Sequence, residues 1–242
     1  MSLQLLPVAI LAGGIATRMR PLTETIPKAL LEVNGEPFIA HQLKLLRQRQ
    51  LQRVVLCLGY LGELIVERIG DGSQFGLQVE YSFDSPVLLG TGGCLKNALP
   101  LLGEQFFVLY GDSYLECDYV AVQNAFIKSA KQGLMTVFLN EGRWDGSNIE
   151  YKDGRIINYV KRNITLQMKH IDYGLGILSR SAFDETPNQQ AFDLETVYQK
   201  LLSRQELAGY EVTNRFYEIG SPSGLAELRQ HLSTLAGREI SS

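Results

Sequence analysis

Residues 11–28, LAGGIATRMRPLTETIPK, place two glycines, two arginines and a lysine directly behind the apolar run LLPVAI. Glycines at the exit of a strand let backbone N–H groups come close to phosphate oxygens. Arg18 and Arg20 can grip phosphate through two parallel N–H groups, and Lys28 adds a compact point charge. Pro21 and Pro27 stiffen the intervening loop and reduce the entropy lost when it orders. The spacing is neither GxxxxGK[ST] nor GxGxxG, so the segment reads as an anion-binding loop outside both common phosphate motifs. Two further places can do chemistry. YGDS puts Asp112 at the end of an apolar run, where open α/β sheets carry functional groups. LLGTGG, residues 88–93, is a flexible turn leading into a helix.

The segment AGGIATRMRPLTETIPKAL resembles the signature loop of sugar-1-phosphate nucleotidylyltransferases, GGxGTRxxPLTxxxPK. The likeness continues through EPFIAHQLKLL, VVLCLGYLGELI, LLGTGGCLKNALPLL, FFVLYGDSYL, the DGRI hairpin and FYEIGSPSGL. Within that family the chain is most similar to the small bacterial heptose-1-phosphate guanylyltransferases. The resemblance implies a Rossmann-like, GT-A-like α/β fold with a mixed, mostly parallel sheet flanked by helices and a small β-hairpin lobe on the acceptor side. It implies one domain over residues 1–242, with 1–139 mainly binding nucleotide and 140–221 mainly binding acceptor. The reaction implied is Mg²⁺-dependent attack of a sugar-1-phosphate oxygen on the α-phosphorus of an NTP, with GTP and heptose- or mannose-1-phosphate favoured by nearest resemblance and CTP, dTTP, UTP and glucose-1-phosphate left open.

Matched to the family motif, Leu11, Ala12, Gly13, Gly14 and Thr17 would surround the nucleotide, with Tyr110 and Gly111 packed beside it. Arg18 would hold the β/γ-phosphates and Lys28 the charge developing at the α-phosphorus. Gly90, Thr91 and Gly92 would lie against the base. Asp112 would ligate Mg²⁺, with Glu218 as second carboxylate where relatives carry Asp. Lys161 would contact the acceptor phosphate, and Asp172, Tyr173 and Gly174 would face the sugar, with Arg143 and Trp144 near it. Ala16, Val160, Asp172 and Glu218 depart from the family pattern. Those departures keep two alternatives open: a nucleotide-sugar-binding regulatory protein, and a transferase for a non-sugar phosphate such as phosphocholine.

These residues must be positioned by alternating elements. Strand-like runs fall at Leu6–Leu11, Val54–Leu58, Leu77–Tyr81, Gln105–Tyr110 and residues 134–139, and helical patterns at Phe38–Gln50, Leu61–Ile69, Gly93–Leu102 and Val120–Lys131. Continuous apolar strands separated by helices build a mostly parallel sheet covered on both faces. Asn148–Tyr151 and Arg155–Tyr159 flank KDGR, an Asp-Gly hairpin turn. His170–Leu178 and Glu211–Tyr217 are read as single strands, Ala191–Leu202 and Ser223–Leu235 as helices.

Composition narrows the function classes. With 26 acidic and 23 basic residues the formal charge is −3, which gives no global attraction to nucleic acid or anionic membrane. The three cysteines lack CxxC spacing and the three histidines do not cluster, so neither zinc nor a disulfide framework is expected. There is no GxSxG elbow for a serine nucleophile. No signal pattern or membrane-length apolar run is present, which makes a cytoplasmic protein, monomer or homodimer, the expectation.

Overall fold

The computed structural model describes residues 4–84 and 87–240. In chain order the strands are β1 (Val8–Leu11), β2 (Glu32–Val33), β3 (Glu36–Pro37), β4 (Arg53–Leu58), β5 (Gln78–Phe83), β6 (Gln105–Tyr110) and β7 (Ser113–Leu115). They continue with β8 (Gly133–Leu139), β9 (Ile149–Lys152), β10 (Arg155–Tyr159), β11 (His170–Ser179), β12 (Leu207–Val212) and β13 (Phe216–Glu218). The helices are α1 (Phe38–Gln48), α2 (Gly62–Ile69), α3 (Gly90–Leu102), α4 (Tyr119–Ser129), α5 (Leu194–Ser203) and α6 (Pro222–Ile240).

A nine-stranded sheet runs β10-β9-β11-β6-β1-β4-β5, with β8 paired to β11 and β12 paired to β8. β1, β4, β5, β6, β8, β9 and β12 share one direction, and only β10 and β11 oppose it. The mixed, mostly parallel α/β architecture expected from the sequence is the one formed. Alternation along β1 sends Val8 and Ile10 to one face, with Leu43, Ile65 and Phe126 of α1, α2 and α4. Ala9 goes to the other face, with Leu95 of α3 and Val197 of α5. Burial on both faces explains why these strands read as unbroken apolar runs.

A third, smaller core serves the site directly. Met19, Leu31, Phe38, Tyr114, Ile219, Leu225 and Leu228 pack together, joining the loop after β1 to the β7–β13 ribbon and α6. Met19 is 2% exposed, and burying such a side chain contributes about 1.5–3 kcal/mol. Its burial fixes the short turn Thr17–Met19 and leaves the flanking Arg18 and Arg20 on the outside.

Two boundaries differ from the sequence reading in an informative way. Glu211–Tyr217 is not one strand: β12 ends at Val212 and β13 begins at Phe216 in a separate ribbon with β7. Between them Asn214 donates its side-chain amide to the Glu116 carbonyl at 2.9 Å, which turns the chain out of the large sheet. α5 begins at Leu194 rather than Ala191, because Asp193 caps it by accepting from the Glu195 N–H. The Asp-Gly turn forms as read, with Asp153 and Gly154 both in the left-handed region.

Candidate active site

Parallel pairing brings the functional loops together. Leu11 at the end of β1 lies beside Tyr110 at the end of β6 and Cys57 near the end of β4. The loops leaving these strands therefore open at one edge of the sheet. Ala12 N–H donates to the Cys57 carbonyl (2.9 Å) and Gly111 N–H to the Leu11 carbonyl (3.1 Å), which holds the two loops against each other. Gly13 is glycine for a steric reason internal to the protein, since a Cβ there would lie 3.0 Å from the Gly59 nitrogen. A Cβ on Gly14 would meet nothing within 4 Å. Ala16, where relatives commonly carry glycine, takes a left-handed conformation (φ 53°, ψ 46°), and its carbonyl accepts from the buried Thr23 hydroxyl at 2.9 Å.

Two cavities open at this edge. The first, about 270 Å³, is lined by Leu11, Ala12, Gly13, Gly14, Lys28, Gly90, Thr91, Tyr110, Gly111 and Asp112 among the sequence-predicted residues. Thr17 and Gly92 are not part of its wall. The glycine-rich turn at its far end has a structural cause. A Cβ on Gly90 would lie 2.7 Å from the Phe192 carbonyl oxygen, and the space beside Gly92 is filled by the Phe192 ring. Thr91 spends its hydroxyl accepting from Leu194 N–H at 2.9 Å. Gly92 and the Thr91 side chain thus seat α5 against α3.

Sequence reasoning missed Asp84, the carboxylate at this far end. One oxygen accepts from Leu89 N–H at 3.0 Å, while the other is shielded from solvent without a partner. Burial raises its pKa, opposed by the Leu89 N–H. The available signal was an isolated acid between a strand and LLGTGG.

At the near end lies the charged centre. Lys28 Nζ donates to Asp112 Oδ2 at 2.9 Å, with the two side chains 17% and 32% exposed. Glu218 reaches this place because β13 pairs antiparallel with β7, setting Glu218 opposite Ser113, and Ile219 N–H donates to the Asp112 carbonyl at 2.9 Å. The position of a Cβ on Gly220 would be 2.8 Å from Glu218 Oε2, 3.1 Å from Arg18 Nη2 and 3.3 Å from Asp112 Oδ2. Any side chain at 220 would occupy the space where three charged groups converge. Glu218 is braced by Gly220 N–H and the Ser221 hydroxyl. Among the described residues no group of three or more Asp, Glu, His or Cys forms a metal cage. Two carboxylates suit Mg²⁺, which completes its shell with water and substrate phosphate rather than with an all-protein set.

The second cavity, about 350 Å³, shares Tyr110 and Asp112 with the first, and Arg18, Glu218, Trp144, Asp172, Tyr173, Gly174 and Arg215 also line it. Asp172 accepts from Gly174 N–H (3.0 Å), Tyr110 OH (3.3 Å) and Tyr159 OH (3.4 Å). Burial raises its pKa, partly offset by the Gly174 N–H and the charge of Lys161. Tyr173 contributes its backbone rather than its hydroxyl. Its ring is 2% exposed, packed with Phe138 and Phe216, and its hydroxyl is buried without a partner.

Trp144 joins this aromatic cluster, 5.6 Å from Phe138 and 6.2 Å from Phe216 between ring centres, and is 38% exposed. Two expected acceptor residues lie elsewhere. Arg143 is outside the cavity wall, exposed and paired with Glu141 at 2.6 Å. Lys161 donates instead to Asp193 Oδ1 at 2.6 Å, because the end of β10 is drawn to the N-terminus of α5, where Glu195 accepts the Lys161 N–H at 2.8 Å.

A glycine-lined cavity at the carboxyl edge of a parallel sheet, with a Lys–Asp pair at its mouth, defines a nucleotide-handling α/β protein. The profile of the nucleotidyl transferase family matches residues 8–145, and the chain belongs to that family. It is 25% identical over 214 residues to the D-glycero-alpha-D-manno-heptose 1-phosphate guanylyltransferase of Campylobacter jejuni, covering 88% of this chain and 94% of that one. It is 43% identical over 113 residues to the N-acetylmuramate alpha-1-phosphate uridylyltransferase of Neisseria meningitidis, a match spanning 46% of this chain and 49% of that protein. The crystal structure of HddC from Yersinia pseudotuberculosis complexed with GMP-PN superposes with a TM-score of 0.78 at 25% identity, covering 94% of this chain and 99% of that one. No helix among the described residues is long and apolar enough to cross a membrane.

Proposed function

We propose that the protein transfers a nucleoside monophosphate from an NTP to a sugar 1-phosphate, releasing pyrophosphate and forming an NDP-sugar. The observation that carries this reading is the pair of cavities meeting at Tyr110 and Asp112, beside Lys28 in one and Arg18 in the other. The nucleotide occupies the first cavity and the acceptor the second. An acceptor phosphate oxygen attacks the α-phosphorus, the bond to the bridging oxygen of the β-phosphate breaks, and the electron pair leaves with pyrophosphate. A phosphate oxygen is already anionic, so no general base is needed; the protein positions two anions and offsets their repulsion.

Lys28 neutralises charge at the α-phosphate, and Arg18, whose Nη2 converges with Asp112 and Glu218 where the two cavities meet, orients the leaving pyrophosphate. Asp112 and Glu218 would hold Mg²⁺, which supplies Lewis-acid neutralisation of the phosphates. The first cavity is walled wholly by residues before 139 and the second mainly by residues after 140, in keeping with the nucleotide and acceptor halves of the chain.

GTP is the favoured nucleotide. The Campylobacter relative, matched over 94% of its length, is a guanylyltransferase, and the Asp84 carboxylate suits the adjacent N–H donors on the pairing edge of guanine. Uridylyl transfer is the second reading, favoured by the 43% identity to the Neisseria protein. Phosphocholine is disfavoured, because the aromatic faces that would receive its ammonium already hold the guanidinium of Arg215, 4.6 Å from the Trp144 ring centre and 4.8 Å from that of Tyr217.

The test is a pyrophosphate-release matrix of GTP, UTP, CTP, dTTP and ATP with Mg²⁺ against neutral and acidic sugar 1-phosphates and phosphocholine. One productive pair establishes the reaction. Silence in a panel that turns over with a control enzyme, combined with binding of NDP-sugars, would favour the regulatory alternative.

A further inference from the structure

Asp172 reaches the second cavity through an irregularity in β11. Asp172 pairs with Val137 and Gly176 with Met135, four steps along β11 against two along β8. Extra residues of this kind bend a strand and re-aim its side chains. The bulge passes through Gly174 at φ 94°, where a Cβ would lie 3.1 Å from Ser113 Oγ. Its backbone is held on both sides. The Asn148 side-chain oxygen accepts the Asp172 N–H at 3.0 Å, and the buried Thr136 hydroxyl donates to the Leu175 carbonyl at 2.5 Å.

The two oxygens of the re-aimed carboxylate are used unequally. Tyr110 OH and Tyr159 OH both donate to Oδ2, at 3.3 and 3.4 Å, whereas Oδ1 accepts only from Gly174 N–H at 3.0 Å. An ionised carboxylate offers about four lone-pair sites, two on each oxygen, so Oδ2 is filled and Oδ1 keeps one. Tyr159 lines neither cavity and is 1% exposed, its ring edge-on to Tyr198 at 6.1 Å between centres. Gly176 leaves the room that the Tyr198 hydroxyl occupies. Burial, then the Asp172 charge, pushes the Tyr110 and Tyr159 phenols up, so both keep their protons and act as donors. The other charged groups of the cavity wall are Arg18, Arg215, Asp112, Asp145, Glu218 and Glu227, and Lys161 adds a more distant positive charge.

We propose that Tyr159 is a positioning residue for the acceptor: with Tyr110 it pins Asp172 Oδ2, so that Oδ1 is left to accept one hydroxyl of the sugar. This rests on the second cavity being the acceptor site. It deepens that reading by naming the group recognised at Asp172, a hydrogen-bond donor, and the buried phenol behind it.

The experiment has a readout that needs no substrate. Carboxyl ¹³C NMR follows the Asp172 titration, with D172N to identify the resonance. Y159F removes one donor and keeps the ring against Tyr198, so the Asp172 pKa should rise by roughly half a unit to one unit. Y110F removes the other donor to the same oxygen, should act in the same direction, and leaves the packing of β10 untouched. Calorimetry with Mg²⁺ then compares the parent and Y159F with UDP-glucose, UDP-N-acetylglucosamine, GDP-mannose and dTDP-glucose at about pH 6 and about pH 8. Y159F should bind the sugar nucleotide roughly fivefold more weakly. The loss should be larger at the lower pH, where the less braced carboxylate takes up a proton. A titration unchanged in both variants overturns the assignment. So does a shifted titration with unchanged affinity, or a loss equal at both pH values, which a merely structural role would give. Each of these leaves the nucleotidyltransferase reading intact. A parent protein that binds none of the four overturns the assignment together with the reading on which it rests.

Discussion

The Lys28–Asp112 ion pair makes a two-sided prediction for Lys28→Met, which removes the charge while keeping most of the side-chain volume. In the proposed reaction Lys28 offsets charge that grows at the α-phosphate. Loss of one preorganised donor at such a position typically costs about 3 kcal/mol, roughly 100-fold in kcat. The nucleotide should lose less, because ground-state phosphate keeps Arg18 and the backbone donors of the Gly13–Gly14 loop. Without substrate, Lys28 has a second effect, since its ammonium sits 2.9 Å from the Asp112 oxygen that Mg²⁺ would use. The side chains are 17% and 32% exposed, which places the pair between a surface bridge of under 1 kcal/mol and a buried one. About 1 kcal/mol is a fair value, and freeing Asp112 of that competitor should tighten Mg²⁺ about fivefold. The assays are pyrophosphate release at saturating substrates for kcat and an Mg²⁺ titration of the substrate-free protein for the competition. A kcat within threefold of the parent would remove Lys28 from the reacting centre. A half-saturating Mg²⁺ concentration that rises in the variant would refute the competition.

Other substitutions test the remaining groups. Glu218→Asp should retain measurable turnover with a shifted Mg²⁺ requirement while Glu218→Ala loses most of it; indifference to both in a metal titration would place Glu218 outside the reaction. Asp84→Asn replaces an acceptor oxygen with a donor and should lower kcat/KM for GTP relative to UTP by roughly tenfold, read by direct competition between the two; an unchanged ratio would mean that the base is read elsewhere. Ala16→Gly relieves a left-handed alanine worth about 1 kcal/mol, partly offset by the added chain entropy, so Tm should rise by roughly 1–2 °C; a fall would show that the alanine is not strained. For Asp172 the folded pKa is raised by burial, so the native state is penalised as pH climbs through it. Asp172→Asn should therefore gain thermal stability over the parent at pH 8, with the gap closing toward pH 4, while the acceptor KM rises; a gap that widens on acidification would reverse the reasoning.

Much of the fold was legible because its information is local. The unbroken apolar runs Val54–Leu58 and Gln105–Tyr110, the Asp-Gly turn and the loop motif each encode their own conformation in adjacent residues. What escaped the sequence depends on which distant segments meet. Phe192 fills the space beside Gly92, so a glycine that reads as room for a base is room for a phenylalanine 100 residues later. Lys161 had an appropriate charge and chain position, and the N-terminus of α5 supplies Asp193 and Glu195 as its partners in the structure. Arg215 lay unremarked inside an expected strand, Glu211–Tyr217; the break at Asn214 and the ribbon with β7 carry it to the cavity wall. The first cavity is written as a motif because strand ends in parallel register must present those residues in one place. The second cavity is assembled from chain crossings, and side-chain type alone does not foretell which charges will meet there.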